Sequence, residues 1–280
     1  MNSSEAIFTV DVEEYFQAEN IQDSLSKQKI ASLPSRVEIG TRKLLDLLAH
    51  HGGTATFFVL GCVAEKHPCL IKDIVQAGHE VASHGYEHIP LHKHTPTSFD
   101  ADLSRSIKIL GDITGQTIIG YRATSFSIAP NMEWFFSVLK KNGIVYDSSL
   151  SLSLFRKNYR SLWSDILSSQ KNLGILEFPP SYINLGFIRL PIGGGYFRAY
   201  PYWLTKYGLS QSIAQRRTPP LFYIHPWELD PSQPRFSLSP FNLMRHYMGL
   251  SSTETKLKRL FSNIEFASIR KYIMSQHYYA

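Results

Sequence analysis

Cysteine is scarce in this chain of 280 residues, limited to Cys62 and Cys69. The pair forms neither a disulfide framework nor a C-x-x-C redox or zinc motif. Both read as buried thiols of a reducing compartment. Long apolar runs are also missing, since the longest, around Ala55 to Ala64, falls well short of the ~18 residues of a membrane span. At the start, Glu5 and Asp11 interrupt the apolar run Ile7 to Val10, which is shorter than a signal core of ~7 to 15 residues. The expectation is a soluble, cytoplasmic protein. No G-x-G-x-x-G follows a strand, and Gly193-Gly194-Gly195 lacks the Lys-Ser/Thr of a phosphate loop, so nucleotide-binding folds lose ground and the triple glycine reads as a turn. Internal repeats and low-complexity linkers are absent as well.

A large excess of one charge is likewise missing. The 29 Lys and Arg against 23 Asp and Glu give +6, mostly scattered. The denser spots, Arg216-Arg217, Lys256 to Arg259 and Arg270-Lys271, fit solvated helix faces better than a nucleic-acid groove. No nucleic-acid partner is expected. What is abundant is core material, with 43% hydrophobic and 13% aromatic residues, enough for a globular chain.

Periodicity organises that material. Ile7 to Val12 is a β-branched run, followed by a helix with Val37, Thr41, Leu44, Leu45 and Leu48 on one face. Ser35 and Glu38 have capping-box spacing, and Gly52-Gly53 closes the helix. A second unit follows: strand Thr54 to Leu60, then a helix with Pro68 in its first turn, Leu70, Ile71, Ile74 and Val75 inward, and Gly78 at its end. The alternation continues with strands at Glu80 to Ser83, Ile118 to Arg122, Ile144 to Asp147, Ile175 to Phe178 and Leu221 to His225, and helices around Phe99 to Ile113 and Asn131 to Lys141. Such alternation implies right-handed crossovers and a parallel sheet, doubly wound or closed into a barrel. Residues 148–202 read as long loops over one face. Ser251 to Phe261 is amphipathic, with Leu257, Leu260 and Phe261 on one side, and is expected to pack back on the body.

Polar residues recur at the carboxyl ends of these strands: Asp11 and Glu13, His84, Arg122, Asp147 and His225. In a parallel barrel those ends converge on one mouth, where catalytic groups sit. Five of the 11 histidines lie between His79 and His94, and His84-Gly-Tyr-Glu-His88 has the H-x3-H spacing that lets two imidazoles reach one metal from a single helical turn. The same residues match H-x-x-E-H, with Glu87 as the base of an inverted zinc protease, but Gly85 and Pro90 leave too little helix for that motif. His92 lies beyond Pro90 and is left outside the ligand set.

In order, TVDVEEYFQ at 9–17, ATFFVLG at 55–61, GHEVASHGYEH at 78–88, GYRATSFSI at 120–128, YDSS at 146–149, GGGYFR at 193–198 and HPWELDP at 225–231 make a specific set. The chain resembles a polysaccharide deacetylase of the NodB-homology type, carbohydrate esterase family 4, and within it the exopolysaccharide-associated branch with a carboxyl-terminal extension, to which RHYMGL at 245–250 belongs. The resemblance implies an α/β, distorted (β/α)7-type barrel over residues 1–230, with residues 231–280 as an extension packed on it. It implies metal-dependent hydrolysis of N-acetyl groups on a glycan, a polysaccharide or lipid-linked precursor, with release of acetate. Asp11 would be the catalytic base, Arg122 the residue that orients it, His225 the general acid, and Asp147 the residue that orients His225. Glu13, His84 and His88 would bind a divalent metal, zinc first. Peripheral association with the cytoplasmic membrane face is compatible with a lipid-linked substrate.

Two departures from the family pattern matter. The acids are Asp11 and Glu13 with Val12 between, rather than adjacent aspartates; period two puts 11 and 13 on one strand face, while Glu14 is a rival carboxylate if the strand ends early. Thr124 stands where a proline usually follows Arg-Ala. Tyr196, Phe197 and Trp227 are candidate sugar-stacking surfaces. The rival functions are a metal-free allantoinase-like amidohydrolase of the same fold and a non-catalytic glycan-binding homologue.

Overall fold

The computed structural model describes residues 5–22, 24–151, 164–185, 189–215 and 219–276. Strand β1 (Glu5–Val12) is the hub of the main sheet. Along one edge it pairs in parallel with β9 (Leu221–Ile224). Its other edge is shared: β10 (Glu265–Ala267) takes Glu5 to Ile7, and β2 (Thr56–Val59) takes Thr9 to Val12. The sheet continues in parallel through β3 (Glu80–Ser83), β4 (Gly120–Tyr121), β5 (Tyr146–Asp147) and β6 (Leu176–Glu177). The seven strands β9 and β1 to β6 curl into the expected distorted barrel, with β10 an eighth. Between β6 and β9 the described residues form no ladder. Ser181 bridges that seam, its N–H donating to the Leu221 carbonyl at 3.0 Å and its hydroxyl accepting from Leu221 N–H at 2.8 Å. An antiparallel hairpin of β7 (Tyr182–Asn184) and β8 (Arg189–Pro191) lies beside the seam.

Alternation along the strands sorts their side chains. Phe8 and Val10 of β1, Phe57 and Val59 of β2, and Phe222 of β9 pack beneath the helices, whereas Ile7, Phe58, Ala82 and Tyr146 join an inner cluster. The inner face of β1 therefore runs Ile7, Thr9, Asp11, and it points the acids at the barrel mouth. A separate cluster of Phe99, Tyr121, Phe135, Phe136 and Leu139 anchors the Pro96–Thr114 and Trp134–Lys141 helices.

Some expectations need correction. Helix Val37–His51 has Arg36 as its N-cap without a side-chain cap bond, because Ser35 instead donates to Glu14 and meets His67 Nε2 at 2.8 Å. Cys69 is exposed and Cys62 half-buried; the buried face of helix Pro68–Gln76 is Leu70, Ile71 and Ile74, which leaves position 69 facing out. The described residues between 148 and 202 include helices Ser164–Asn172 and Gly194–Ala199 and the β7–β8 hairpin where loops were expected. Of the basic spots, Arg216-Arg217 lies outside the described residues. Lys256 is tied to the carbonyls of Arg198 and Tyr200, and Arg270 to that of Thr117.

The segment past residue 230 enters the barrel's own core. Phe261 and Phe266 pack tilted and edge-on against Phe8, with ring centroids 4.9 and 5.3 Å away. Among the described residues no helix is long and apolar enough to cross a membrane.

Candidate active site

Glu13, His84 and His88 converge just beyond β1 and β3, all buried, with one ligand atom of each within 4.8 Å of the others. The two histidines do not share a helical turn. Residues 84–88 form a bend in which Gly85 takes φ +82° and Asp102 accepts from the N–H groups of Tyr86 and Glu87 at 2.8 and 3.2 Å. A Cβ on Gly85 would stand 2.8 Å from that same carboxylate, so the bend needs glycine. Glu87 is exposed. His84 Nδ1 meets the Arg122 carbonyl at 2.8 Å, which fixes Nδ1 as the donor and leaves Nε2 with a free lone pair. Burial pushes His84 down to about 4, so its ring is neutral near pH 7. Burial alone would raise the Glu13 carboxyl, but His88, its Nε2 2.8 Å away, and His225 outweigh it and hold it well below the carboxylate range. Two imidazoles and one carboxylate form a three-residue donor set of the kind that holds a divalent ion with positions left open. His88 Nδ1 is buried without a hydrogen-bond partner in the described residues, a buried nitrogen lone pair or N–H that no protein group satisfies. The residues fit a metal.

Glu14 turns away from this cluster. Its carboxylate accepts from the Ser35 hydroxyl and from Arg36 N–H, which leaves Glu13 as the carboxylate of the set. Arg122 is fully buried. Its Nη1 donates to Asp11 Oδ1 at 2.6 Å and Thr9 Oγ1 at 2.9 Å, its Nη2 to Ser148 Oγ at 2.7 Å, and its Cζ lies 4.1 Å from the Phe58 ring centroid. A bond to a buried guanidinium fixes one Asp11 oxygen in place. The other, Oδ2, lies 3.9 Å from His225 Nε2.

His225 sits at the end of β9, and its partner differs from the expected one. Its Nδ1 is 2.8 Å from Glu228 Oε1, and its backbone N–H donates to the same oxygen at 3.1 Å. Asp147 is occupied elsewhere: it accepts from the Ser149 hydroxyl at 2.6 Å and faces Glu177 across the β5–β6 register. The strand therefore places Asp147 opposite Glu177 on β6 rather than at His225. The HPWE turn supplied a nearer carboxylate, three residues on, and that i, i+3 spacing was the sequence signal for Glu228. Burial alone would lower the His225 pKa, but Glu13, Glu228 and Asp11 raise it to about 9.

The stacking candidates separate. Tyr196 is 42% exposed and lines the cavity. Phe197 is core, packed edge-on against Phe222. Trp227 is mostly buried between His225 and His246, its ring centroid 5.2 and 4.6 Å from theirs, and its Nε1–H donates to Glu13 Oε1 at 3.1 Å. It buttresses the site, with an edge on the cavity. The loop after Arg122 carries a feature that sequence reasoning did not reach. Ser125 and Phe126 both take positive φ, 53° and 48°, a strained conformation for non-glycine residues, and both border the cavity. Thr124, in place of the usual proline, ties this loop to the Ile89 carbonyl through its hydroxyl at 2.9 Å.

These groups open onto a cavity of about 600 Å³, a volume suited to a ligand of a few rings. Asp11, Glu13, His84, His88 and His225 line it together with Phe241 and Met244 of helix Pro240–Tyr247.

Residues 35–146 match the family model described as "Polysaccharide deacetylase", and residues 158–274 match one described as a "Domain of unknown function". A peptidoglycan deacetylase of Helicobacter pylori is 32% identical over 159 residues, 54% of this chain and 50% of that protein. A chitooligosaccharide deacetylase of Sinorhizobium fredii is 50% identical over 48 residues, 17% of this chain and 22% of that protein. The chain thus spans half or less of these curated relatives. Among solved structures, a Mycobacterium smegmatis protein described as a candidate polysaccharide deacetylase superposes with TM-score 0.61 at 21% identity, covering 97% of this chain and 90% of that one. The Puue allantoinase superposes with TM-score 0.60 at 16% identity, covering 100% and 93%. At such identities the likeness concerns the fold.

Proposed function

We propose that this chain, which belongs to the polysaccharide deacetylase family, hydrolyses the N-acetyl group of an amino-sugar glycan in a metal-dependent reaction, converting acetamide and water into acetate and a free amine. The observation that carries this reading is the placement of Asp11 Oδ2 and His225 Nε2 around the Glu13, His84 and His88 donor set in one cavity. Glu13, His84 and His88 would hold the metal, zinc first among divalent ions. When bound, the metal supplies a Lewis acid for the acetyl carbonyl and lowers the pKa of water.

The chain's own residues do the rest. Asp11 accepts the water proton at Oδ2, the oxygen that Arg122 leaves free. The Arg122 bond keeps that carboxylate aimed. As water adds to the acetyl carbon, the amide nitrogen gains basicity, and His225 Nε2–H delivers the proton with which the C–N bond breaks. Glu228 at Nδ1 holds the imidazole in the orientation this needs. The exposed Tyr196 offers a face to the sugar ring.

The test incubates the protein with peptidoglycan fragments, N-acetylated chitooligosaccharides and allantoin, and follows acetate release and the mass loss of one acetyl group. Acetate from either glycan supports the reading; turnover of allantoin alone, undiminished by chelator, favours the metal-free amidohydrolase. Binding of a glycan without turnover would mark a non-catalytic homologue.

A further inference from the structure

We propose that Arg198 is a positioning residue that couples the docking of helix Pro240–Tyr247 to the orientation of His225, so that the segment past residue 230 sets the acid arm of the site. The coupling rests on the deacetylase reading only for its effect on catalysis. Its structural basis is a continuous chain of contacts. Arg198 is almost wholly buried, 3% exposed, at the end of the Gly194–Ala199 helix. Its Nε donates to Glu228 Oε2, the oxygen opposite the one that holds His225. The remaining donors are spent on the carboxyl end of helix Pro240–Tyr247: Nη1 on the carbonyls of His246 and Met248, both at 2.7 Å, and Nη2 on that of Arg245 at 3.1 Å.

The last carbonyls of a helix lack intrahelical partners and attract cations. A guanidinium has five donors in a rigid fork, so one residue can cap those carbonyls and hold a carboxylate together, which a lysine ammonium cannot do in the same geometry. Glu228 is fully buried, and a buried carboxylate needs its cation and its hydrogen bonds to stay charged. If the helix leaves, Arg198 loses three acceptors and Glu228 loses a fixed partner. His225 then loses the group that orients it. A second contact runs in parallel, because His246 on the same helix stacks on Trp227, which stacks on His225. This gives a role to the part of the chain whose family model names none: residues 158–274 would build and clamp the acid side of the cleft.

Two conservative variants test the coupling from opposite ends in the full-length protein. Arg198→Lys should lower kcat on N-acetylated chitotetraose at least tenfold with KM changed less than threefold. Hydrolysis of 4-nitrophenyl acetate, whose leaving group needs no proton, should fall by less than threefold, with metal content near that of the parent. Equal losses on both substrates would overturn the positioning role. Glu228→Gln, whose hydrogen bonds reach no residue of the helix, should speed amide hydrogen exchange across residues 241–248 at least tenfold; unchanged exchange there would overturn the coupling, even if Arg198→Lys fails to fold. If the parent releases no acetate from any glycan while Glu228→Gln still loosens the helix, the deacetylase reading falls and the coupling stands.

Discussion

Asp11 and Glu13 are two residues apart and do different work because their oxygens meet different partners. Arg122 takes one oxygen of Asp11, while His88 and Trp227 take those of Glu13. Asp11→Asn is therefore expected to keep the metal and lose turnover by about 10²-fold or more, the usual worth of a positioned base. Glu13→Ala or His84→Ala should instead lose the metal, as read by elemental analysis of the purified protein, and chelation of the parent should abolish acetate release until zinc is restored. Exchanged phenotypes would reverse the roles of base and ligand. A third residue tests burial rather than chemistry. His79 is 5% exposed against the Phe57 ring, with neither ring nitrogen hydrogen-bonded among the described residues, and burial lowers its pKa to about 4. An unfolded histidine titrates near 6.5, so between about pH 6.5 and 4 the unfolded chain binds a proton that the folded one refuses. The stability His79 permits is complete above that window and is lost as pH falls through it. His79→Leu should remove about 3–6 °C of the Tm decline between pH 7 and 5, measured by calorimetry; an unchanged decline would clear His79 of any part in it.

At the scale of elements, helix Val37–His51 presses on the turn that carries His225. A Cβ on Gly40 would lie 1.8 Å from the Pro226 carbonyl oxygen, so the helix sits at this depth only because position 40 has no side chain. Gly40→Ala should cost at least roughly 1–3 kcal/mol in urea unfolding and lower kcat as the turn shifts. Stability equal to the parent would show that the helix approaches less closely in solution. Most of these elements were legible, because apolar spacing of 3.6 or 2 residues gave the Val37–His51, Pro68–Gln76 and Pro96–Thr114 helices and strands β1, β2, β3 and β9 to within a few residues. The two-residue strands β4, β5 and β6 were read too long, since a β-branched run marks where a strand could extend but not where a curling sheet stops pairing. β10 was missed outright: Glu-Phe-Ala has no distinguishing pattern of its own and is a strand because β1 offers it half an edge.

For the molecule as a whole, the segment after Asp230 is part of the core. Leu257, Leu260, Phe261 and Phe266 belong to the same core as Phe8 and Phe222. A chain ending at residue 230 would expose the faces of Phe8 and Phe222 that these residues cover, at a cost of roughly 1.5–3 kcal/mol for a fully exposed side chain. It should fail to unfold cooperatively and should expose dye-binding apolar surface. A sharp two-state transition for that fragment would show that residues 1–230 fold alone.

The sequence by itself determined the alternation of strands and helices, the placement of acids and imidazoles at strand ends, and the common face of residues 11 and 13. These are local properties: periodicity and chain direction decide them before any long-range contact forms. Only the tertiary structure decided partners. Glu13 rather than Glu14 faces the histidines because Ser35 and Arg36 claim the latter. Glu228 rather than Asp147 holds His225 because the 225–229 turn folds back on itself while β5 lies elsewhere on the barrel. Phe197 is core and Tyr196 lines the cleft, although the two are adjacent in sequence. In each case the choice was between chemically similar neighbours, and side-chain type cannot rank them; what ranks them is which group stands at hydrogen-bonding distance once the sheet has curled.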